Sequence, residues 1–392
     1  LVLVTAVSYG REVAVGTSRR DRRSVLSLLR HLDLALVGAT FALSLVGVVM
    51  VYTATRNALL QAGLDRHYYL ERQALWVVLG TVIMAVVASI DYRRFKDLGY
   101  VIYGLALLSL IGVFVVGHAQ YGSQRWYQLG PLTLQPSEFA AIGLFIAIGK
   151  FCSNRQGLLS FKEVACLIGF AALPILLVFK QPDLGTAIIL AVTFAALMVT
   201  ANVPLRYIVL LFVGAIGAFV AALNLHLLDS YQLSRLTGFL HQSRDIRGAN
   251  YDLTMSRNAV ASGGVHGTGL ERGPYTNLSI VPNQQNDFIF SAIGEQLGFV
   301  GSAAVVGLFG VVAFRMLRAA QTARDSFGRL VCAGAFAFLA FSVFENIGMT
   351  IGLMPITGIP LPFVSYGGSA VFAFFATVGL VLNVEMRRLS RR

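Results

Sequence analysis

The sequence predicts an all-α polytopic membrane protein with ten transmembrane helices, and three observations carry that prediction. Of its 392 residues 56% are hydrophobic and only 13% charged, with a mean hydropathy of +0.71. A water-soluble domain carries about 25% charged residues, so the usual solvated surface cannot be built from this composition. Uncharged apolar runs approaching the ~20 residues that cross a ~30 Å hydrocarbon core recur along the chain. Lys and Arg gather in alternate loops, as the positive-inside rule expects. These features exclude most soluble enzymes, disordered chains and collagen-like chains. The net charge of +12 reads as topology rather than as a nucleic-acid footprint. Cys152, Cys166 and Cys332 are too scattered for a disulfide framework or a zinc site.

The spans are placed at Leu34–Tyr52, Leu75–Ile90, Leu98–Gly117, Phe139–Ile148 and Ala165–Phe179, then Thr186–Ala201, Ile208–Leu225, Phe288–Phe314, Leu330–Phe344 and Ala370–Val384. The fourth extends to Cys152 if Lys150 snorkels. The first follows an Arg-rich leader and lacks a small-residue cleavage site, so it reads as a retained helix. Residues 1–30 are expected to be a disordered cytoplasmic leader, and residues 31–392 one membrane domain.

An even number of spans puts both termini on one side. The basic leader (Arg11, Arg19, Arg20, Arg22, Arg23, Arg30) and tail (Arg387, Arg388, Arg391, Arg392) mark that side as cytoplasmic. The inner loops then hold Arg93, Arg94 and Lys96; Lys150, Arg155 and Lys162; Arg206; and Arg315, Arg318, Arg324 and Arg329. With this alternation 21 of the 31 Lys and Arg residues lie inside. One outer segment, 226–286 between helices 7 and 8, breaks the short-loop rule, and loops of that length are usually functional. Leu233, Leu236 and Leu240 share one face of a helix within it, beside Phe239, and such a helix suits a membrane interface. Gly263, Gly264, Gly267 and Gly269 follow as a flexible, turn-rich stretch, with no strand before it and no GKS after it to make a phosphate loop.

Polar residues collect at the outer helix ends. Asp287, in Gln-Asn-Asp-Phe-Ile-Phe, reads either as a helix N-cap or as a general base at the membrane surface. Glu138 and Asp183 each follow a proline and open a span, which an acidic first turn explains without invoking function. Glu295 lies two turns inside a span, where an ionisable group is either functional or a structural hydrogen-bond partner. Arg125 and Lys180 are the outer cations nearest these carboxylates, or else contacts for lipid headgroups. Trp126 beside Arg125 is an interface aromatic or a sugar-stacking platform. The uncharged segment 355–369 carries three prolines and three glycines, and implies a fixed, re-entrant backbone buried in protein or lining a cavity. Its Ser365, Tyr366 and Ser369 would offer neutral hydrogen bonds to a ligand, or simply join two helices through a rigid plug. The histidines show no metal-ligand spacing.

In order along the chain stand Arg125-Trp with Gln135-Pro-Ser-Glu-Phe, Gln181-Pro-Asp-Leu-Gly-Thr, Asp287-Phe-Ile-Phe with Gly294-Glu-Gln-Leu-Gly-Phe, Asn346-Ile-Gly-Met, and Gly358-Ile-Pro-Leu-Pro-Phe-Val-Ser-Tyr-Gly-Gly-Ser. As an ordered set they resemble the SEDS family (shape, elongation, division, sporulation). The resemblance covers the chain after the leader and looks more like the elongation branch than the division branch. It implies a ten-helix peptidoglycan glycosyltransferase of the bacterial cytoplasmic (inner) membrane, with its active site on the extracytoplasmic face. Lipid II and the nascent glycan strand would be its substrates, membrane lipids its surroundings, and a class B penicillin-binding protein its crosslinking partner.

The family's proposed catalytic aspartate corresponds to Asp287, which would take a proton from the attacking sugar hydroxyl. Arg125, Lys180 and Arg235 would face the leaving pyrophosphate, as would a divalent cation (Mg or Mn), although no metal cage shows in the sequence. The chain departs from the family pattern at Ala141, where relatives carry Lys, and at Gln285, Gln296 and Ala370, which alter the expected electrostatics of the site. Two rival readings are a flippase for lipid-linked precursors and a non-catalytic scaffold for the transpeptidase.

Overall fold

Every apolar run becomes a helix in the computed structural model, which describes residues 32–120, 123–130, 132–155, 157, 159–225, 230–240 and 250–388. The expected leader lies outside the described residues. The first half comprises α1 (Leu34–Gln61), α2 (Tyr68–Ser89), α3 (Tyr92–Asp97) and α4 (Gly99–Val116), strands β1 (His118–Gln120), β2 (Ser123–Leu129) and β3 (Leu132–Leu134), then α5 (Pro136–Ser153), α6 (Phe161–Lys180) and α7 (Leu184–Thr200). The second half comprises α8 (Leu205–Asn224), α9 (Ser230–Leu240), α10 (Tyr251–Ser262), α11 (Pro274–Asn277), α12 (Ile289–Thr322), α13 (Ser326–Ile351) and α14 (Gly368–Arg387). Eight of these helices are long and apolar enough to cross a membrane, and α7 and α8 are shorter apolar helices. The architecture is therefore an all-α polytopic bundle consistent with ten spans. It carries one small addition, an antiparallel sheet in the order β1-β2-β3.

Helix starts follow local chemistry. The carboxylate of Asp33 accepts the backbone N–H groups of Ala35 and Leu36 ahead of α1, both at 3.1 Å. A Ser160–Glu163 capping box opens α6, and Pro136 occupies the first turn of α5. Lys150, near the end of α5, donates to the carbonyl of Asp97 at 2.6 Å and lies over the Tyr100 ring, so its charge reaches the edge of the bundle.

Burial sorts the apolar helices into core and periphery. In the hydrophobic stretch of α14 94% of residues are buried, and in that of α5 78%, against 22% in α4. The inner helix α14 packs mainly on α2, while α13 packs on α12, α5 and α7, and α12 on α1. None of the described side chains of α8 is buried, and the helix rests chiefly on α7. Aliphatic side chains on the outer faces of α2, α4 and α8 are exposed, as expected of surfaces solvated by lipid.

Two glycines permit close backbone approaches that shape the site. Halfway along α1, a Cβ on Gly47 would lie 2.7 Å from the carbonyl oxygen of Phe363, so the 355–367 strap descends to the middle of the bundle. There Phe363 is 1% exposed and packs against Phe374 and Phe375. Helix α12 is broken at Gly298 (φ 66°, ψ −164°), and a Cβ there would meet the backbone nitrogen of Gly267 at 2.2 Å. The glycine-rich stretch expected to be flexible is pinned at this break. Thr268 and Gly269 donate backbone N–H groups to the carbonyls of Glu295 and Gln296, at 2.9 and 3.1 Å. In return Phe299 and Val300 donate to the carbonyls of Gly264 and Val265, at 2.9 and 3.1 Å. A helix interrupted in an apolar setting leaves backbone groups unpaired, and the loop supplies their partners.

At the end of the bundle where both described chain ends lie, side chains tie helices together. Arg315 pairs with Asp33 at 2.5 Å. The buried Asn383 accepts from the Tyr92 backbone N–H at 3.0 Å and from Arg387 at 2.6 Å, and donates to the carbonyls of Val87 and Ile90. The Tyr92 hydroxyl donates to Asp325 at 2.5 Å, which with burial pushes its pKa up to about 12.

Candidate active site

The opposite end of the bundle contains a cavity of about 210 Å³ lined by Trp126, Gln135, Glu138, Asn286, Asp287, Tyr366 and Ser369 among others. Its walls come from far-separated segments. The β2–β3 hairpin brings Trp126, the start of α5 brings Glu138, the turn before α12 brings Asp287, and the strap brings Gly358, Tyr366 and Ser369.

Asp287 does not cap a helix. The N-cap of α12 is Phe288, and no side chain caps it. The Asp287 carboxylate instead faces the strap, where a Cβ on Gly358 would lie 3.4 Å from its Oδ2 and 3.8 Å from Arg235 Nη1. Arg235 reaches this point from α9 and donates to the carbonyl of Ile356 at 3.0 Å. Burial raises the pKa of Asp287 to about 6. Arg235 and Arg125 pull it down, while Asp183 and Asp252 push it up. A half-buried carboxylate that titrates near neutrality beside a guanidinium is equipped to take up and release a proton.

Asp183 caps α7, accepting the N–H of Thr186 at 3.2 Å, as a helix-start residue should. Its second oxygen accepts from Gln135 Nε2 at 3.2 Å, and Arg125 stands 3.9 Å from the first. Arg125 also donates to the carbonyls of Gln181 and Pro182, closing the C-terminal end of α6. Gln135 joins the opposite walls: its side-chain oxygen accepts from the Trp126 indole at 3.1 Å, and its backbone N–H donates to Ser369 Oγ at 2.9 Å. Ser369 in turn donates to the carbonyl of Thr133 at 2.8 Å. Ser365 donates to the carbonyl of Asn286 at 2.6 Å, and the Tyr366 backbone N–H to that of Gln285 at 2.9 Å, so the strap is laced to the Asp287 turn.

Two expected site residues fall elsewhere. Glu295 is fully buried, away from the cavity, and accepts the backbone N–H groups of Tyr275 and Thr276 at 2.7 and 3.0 Å and the Thr276 hydroxyl at 2.5 Å. It anchors α11, the structural alternative allowed for it. Lys180 ends α6 exposed and does not line the cavity. Residues that sequence reasoning passed over also join the site. Tyr69 packs edge-on against Tyr366 at 4.8 Å, the buried Gln73 donates to the carbonyl of Ser365 at 3.2 Å, and Arg72 hydrogen-bonds Tyr366. One turn apart on α2, Tyr69, Arg72 and Gln73 share a face, a periodicity masked by the surrounding apolar run.

Among the described residues no group of three or more His, Cys, Asp or Glu side chains is placed to hold a metal ion. The oxygens of Asp183 are already engaged by Arg125, Gln135 and Thr186, so these donors do not form a cation cage.

Comparison with known proteins shows the family to which this fold belongs. A family model described as cell cycle protein, FtsW/RodA/SpoVE, matches residues 34–390. The peptidoglycan glycosyltransferase MrdB of Escherichia coli (strain K12) is 32% identical over 358 residues, covering 91% of this chain and 94% of that protein. A solved structure described as coordinating polymerization and crosslinking in a peptidoglycan synthase complex matches with a TM-score of 0.79 at 29% identity, covering 92% of this chain and 99% of the other. The crystal structure of the rod shape determining protein RodA of Thermus thermophilus matches with a TM-score of 0.69 at 28% identity, covering 92% and 98%. With the family model spanning nearly all of the described bundle, the chain belongs to the FtsW/RodA/SpoVE family, the SEDS peptidoglycan glycosyltransferases.

Proposed function

We propose that the protein polymerises lipid II into glycan strands for cell-wall elongation, with Asp287 as general base. The observation that carries this reading is the Asp287 carboxylate itself, set in the cavity wall beside Arg235 with its pKa raised to about 6. A sugar hydroxyl of the incoming lipid II gives its proton to Asp287, and its oxygen bonds to the anomeric carbon of the growing chain. The bond from that carbon to the lipid pyrophosphate breaks, and the electron pair leaves with the phosphate. This is a single displacement that inverts the anomeric centre, and one base suffices, unlike the paired carboxylates of retaining hydrolases. Arg235 supplies positive charge where the pyrophosphate departs. Arg125, committed to the Gln181 and Pro182 carbonyls, braces the wall and adds to the field. Trp126 offers a face for sugar stacking, and Glu138, Ser369 and Tyr366 are polar contacts for the sugars. A divalent cation that accompanies the pyrophosphate would arrive with the substrate.

The excess of Lys and Arg at the end bearing both chain ends supports a cytoplasmic placement of that end in a bacterial inner membrane. The cavity and the long 226–286 loop then face outward. The RodA likeness and the Asn346-Ile-Gly-Met motif support the elongation branch. The likeness to a polymerising and crosslinking complex supports a penicillin-binding protein as partner. The test is polymerisation of lipid II by the purified protein in detergent, where there is no membrane to cross. Glycan strands are expected from wild type and not from Asp287→Asn. Equal polymer from both, or none from wild type, would overturn the reading.

A further inference from the structure

The Asn346 motif has no part in the cavity wall, yet it touches the site from behind. Asn346 on α13 is fully buried, and its side-chain NH₂ donates to two backbone carbonyls: Asp287 at 2.8 Å and Ile359 at 2.7 Å. One carbonyl belongs to the turn that carries the Asp287 carboxylate, the other to the strap residue after Gly358, against which that carboxylate rests. Both N–H bonds of one amide thus fix the distance between the two segments. Next to it, Glu345 is 1% exposed and accepts the Thr357 hydroxyl at 3.0 Å, holding the strap one residue before Gly358. Thr357 is in turn pressed against α7, where a Cβ on Gly185 would lie 2.9 Å from its own Cβ.

The strap is also laced to this turn at Gln285 and Asn286, but those bonds stop short of Asp287 itself. It lies in a turn, its own N–H donates to the Asn283 carbonyl at a long 3.2 Å, and the helix after it begins only at Ile289. The strap near Gly358 is irregular, with φ +78° at that glycine. A carboxylate on such a support keeps its orientation only if its neighbours are fixed, and misplacement of a reacting group by about 1 Å costs on the order of a hundredfold in rate.

We propose that Asn346, seconded by the Glu345–Thr357 hydrogen bond, is a positioning residue that holds the Asp287 carboxylate against Gly358 of the strap at its working distance from Arg235. The proposal rests on Asp287 acting as the base. Neither Asn346 nor Glu345 touches substrate, because both are buried behind the residues that do.

The experiment measures lipid II polymerisation against pH and substrate concentration for purified variants whose monodispersity and thermal midpoint are checked first. Asn346→Leu keeps the volume without a donor and is expected to lower kcat at least tenfold with KM within threefold. Its acid limb should move to lower pH, because a released Asp287 gains water and its pKa returns toward the ordinary range. Asn346→Ser, with one donor, should be intermediate. Thr357→Val should lower kcat in the same direction, while Glu345→Gln, which still accepts the Thr357 hydroxyl, should stay within threefold of wild type. If Asn346→Leu does not fold, Asn346→Ser and Thr357→Val carry the test. The proposal is overturned if the folded variants keep wild-type kcat and an unmoved acid limb while Asp287→Asn is inactive. If Asp287→Asn polymerises normally, the reading of Asp287 as base is what fails.

Discussion

Asp287 and Arg235 meet beside Gly358, where a single added Cβ would lie 3.4 Å from the carboxylate and 3.8 Å from the guanidinium. One comes from the turn before α12 and the other from a helix of the long loop, so the pair forms only when that loop is docked. The electrostatics of the site therefore depend on an element some fifty residues away in sequence.

The first prediction concerns pH. Burial raises the Asp287 pKa to about 6, and a base works only when deprotonated, so the rate should fall about tenfold per unit as pH drops below 6. Arg235 favours the charged carboxylate. Arg235→Gln should therefore move the acid limb to higher pH as well as lower the plateau. A pH–rate profile of both proteins checks the direction, and an unmoved limb would remove Arg235 from the electrostatics of Asp287.

Gly358 should not tolerate a side chain. Its φ of +78° is strained for any L residue, at a cost on the order of 1 kcal/mol, and relief of that strain would shift the backbone against which the carboxylate rests, with the new methyl in van der Waals contact with it at 3.4 Å. Gly358→Ala is expected to fold with a slightly lowered thermal midpoint and to lose at least tenfold in kcat. Gly63→Ala, also at positive φ (+70°) but in open space, provides the control, with similar strain and unchanged kcat.

Glu295 separates a structural carboxylate from a substrate-binding one. It accepts three hydrogen bonds from the start of α11, and charge-assisted bonds of that kind contribute about 1.5–3 kcal/mol each when buried. Glu295→Ala should release the 263–277 segment to proteolysis and lower the thermal midpoint by several degrees. Limited proteolysis followed by mass spectrometry identifies the cut. A variant that kept its protease resistance while losing substrate affinity would return Glu295 to the substrate.

At the far end of the bundle, Asn383→Ala should cost about 1–3 kcal/mol by leaving the carbonyls of Val87 and Ile90 and the N–H of Tyr92 unpaired. Because the cavity is at the other end, KM and the acid limb should stay at wild-type values. Denaturation in detergent and the same kinetic assay read the two effects separately.

The ten apolar helices were legible because each carries an apolar run that stands out from the loops, and some starts follow the prolines and acids ahead of them, as at Pro136 and Asp183. Asp287, Arg125 and Trp126 could be picked out as candidates because charge and aromatic groups are scarce in such a chain, and the fold gathers them at one end of the bundle. What could not be read was pairing across the chain. Glu295 invited a functional reading by its depth, and only the fold shows α11 coming to meet it. The glycines at 263–269 looked like slack, but they are there so that two backbones can touch at the broken helix. The face of α2 bearing Tyr69, Arg72 and Gln73 was hidden because its partner is the strap, almost three hundred residues away.

The contact between Gly47 and the strap roots the segment that carries part of the cavity wall. Leu361, Phe363 and Val364 are all but inaccessible; Phe363 and Val364 meet the midpoint of α1, and Phe363 packs on the Phe374 and Phe375 rings. Gly358, Pro360, Tyr366 and Ser369 of the same segment line the cavity. Moving that stretch of wall would first uncover these buried apolar side chains, so the cavity borrows its rigidity from the middle of the bundle.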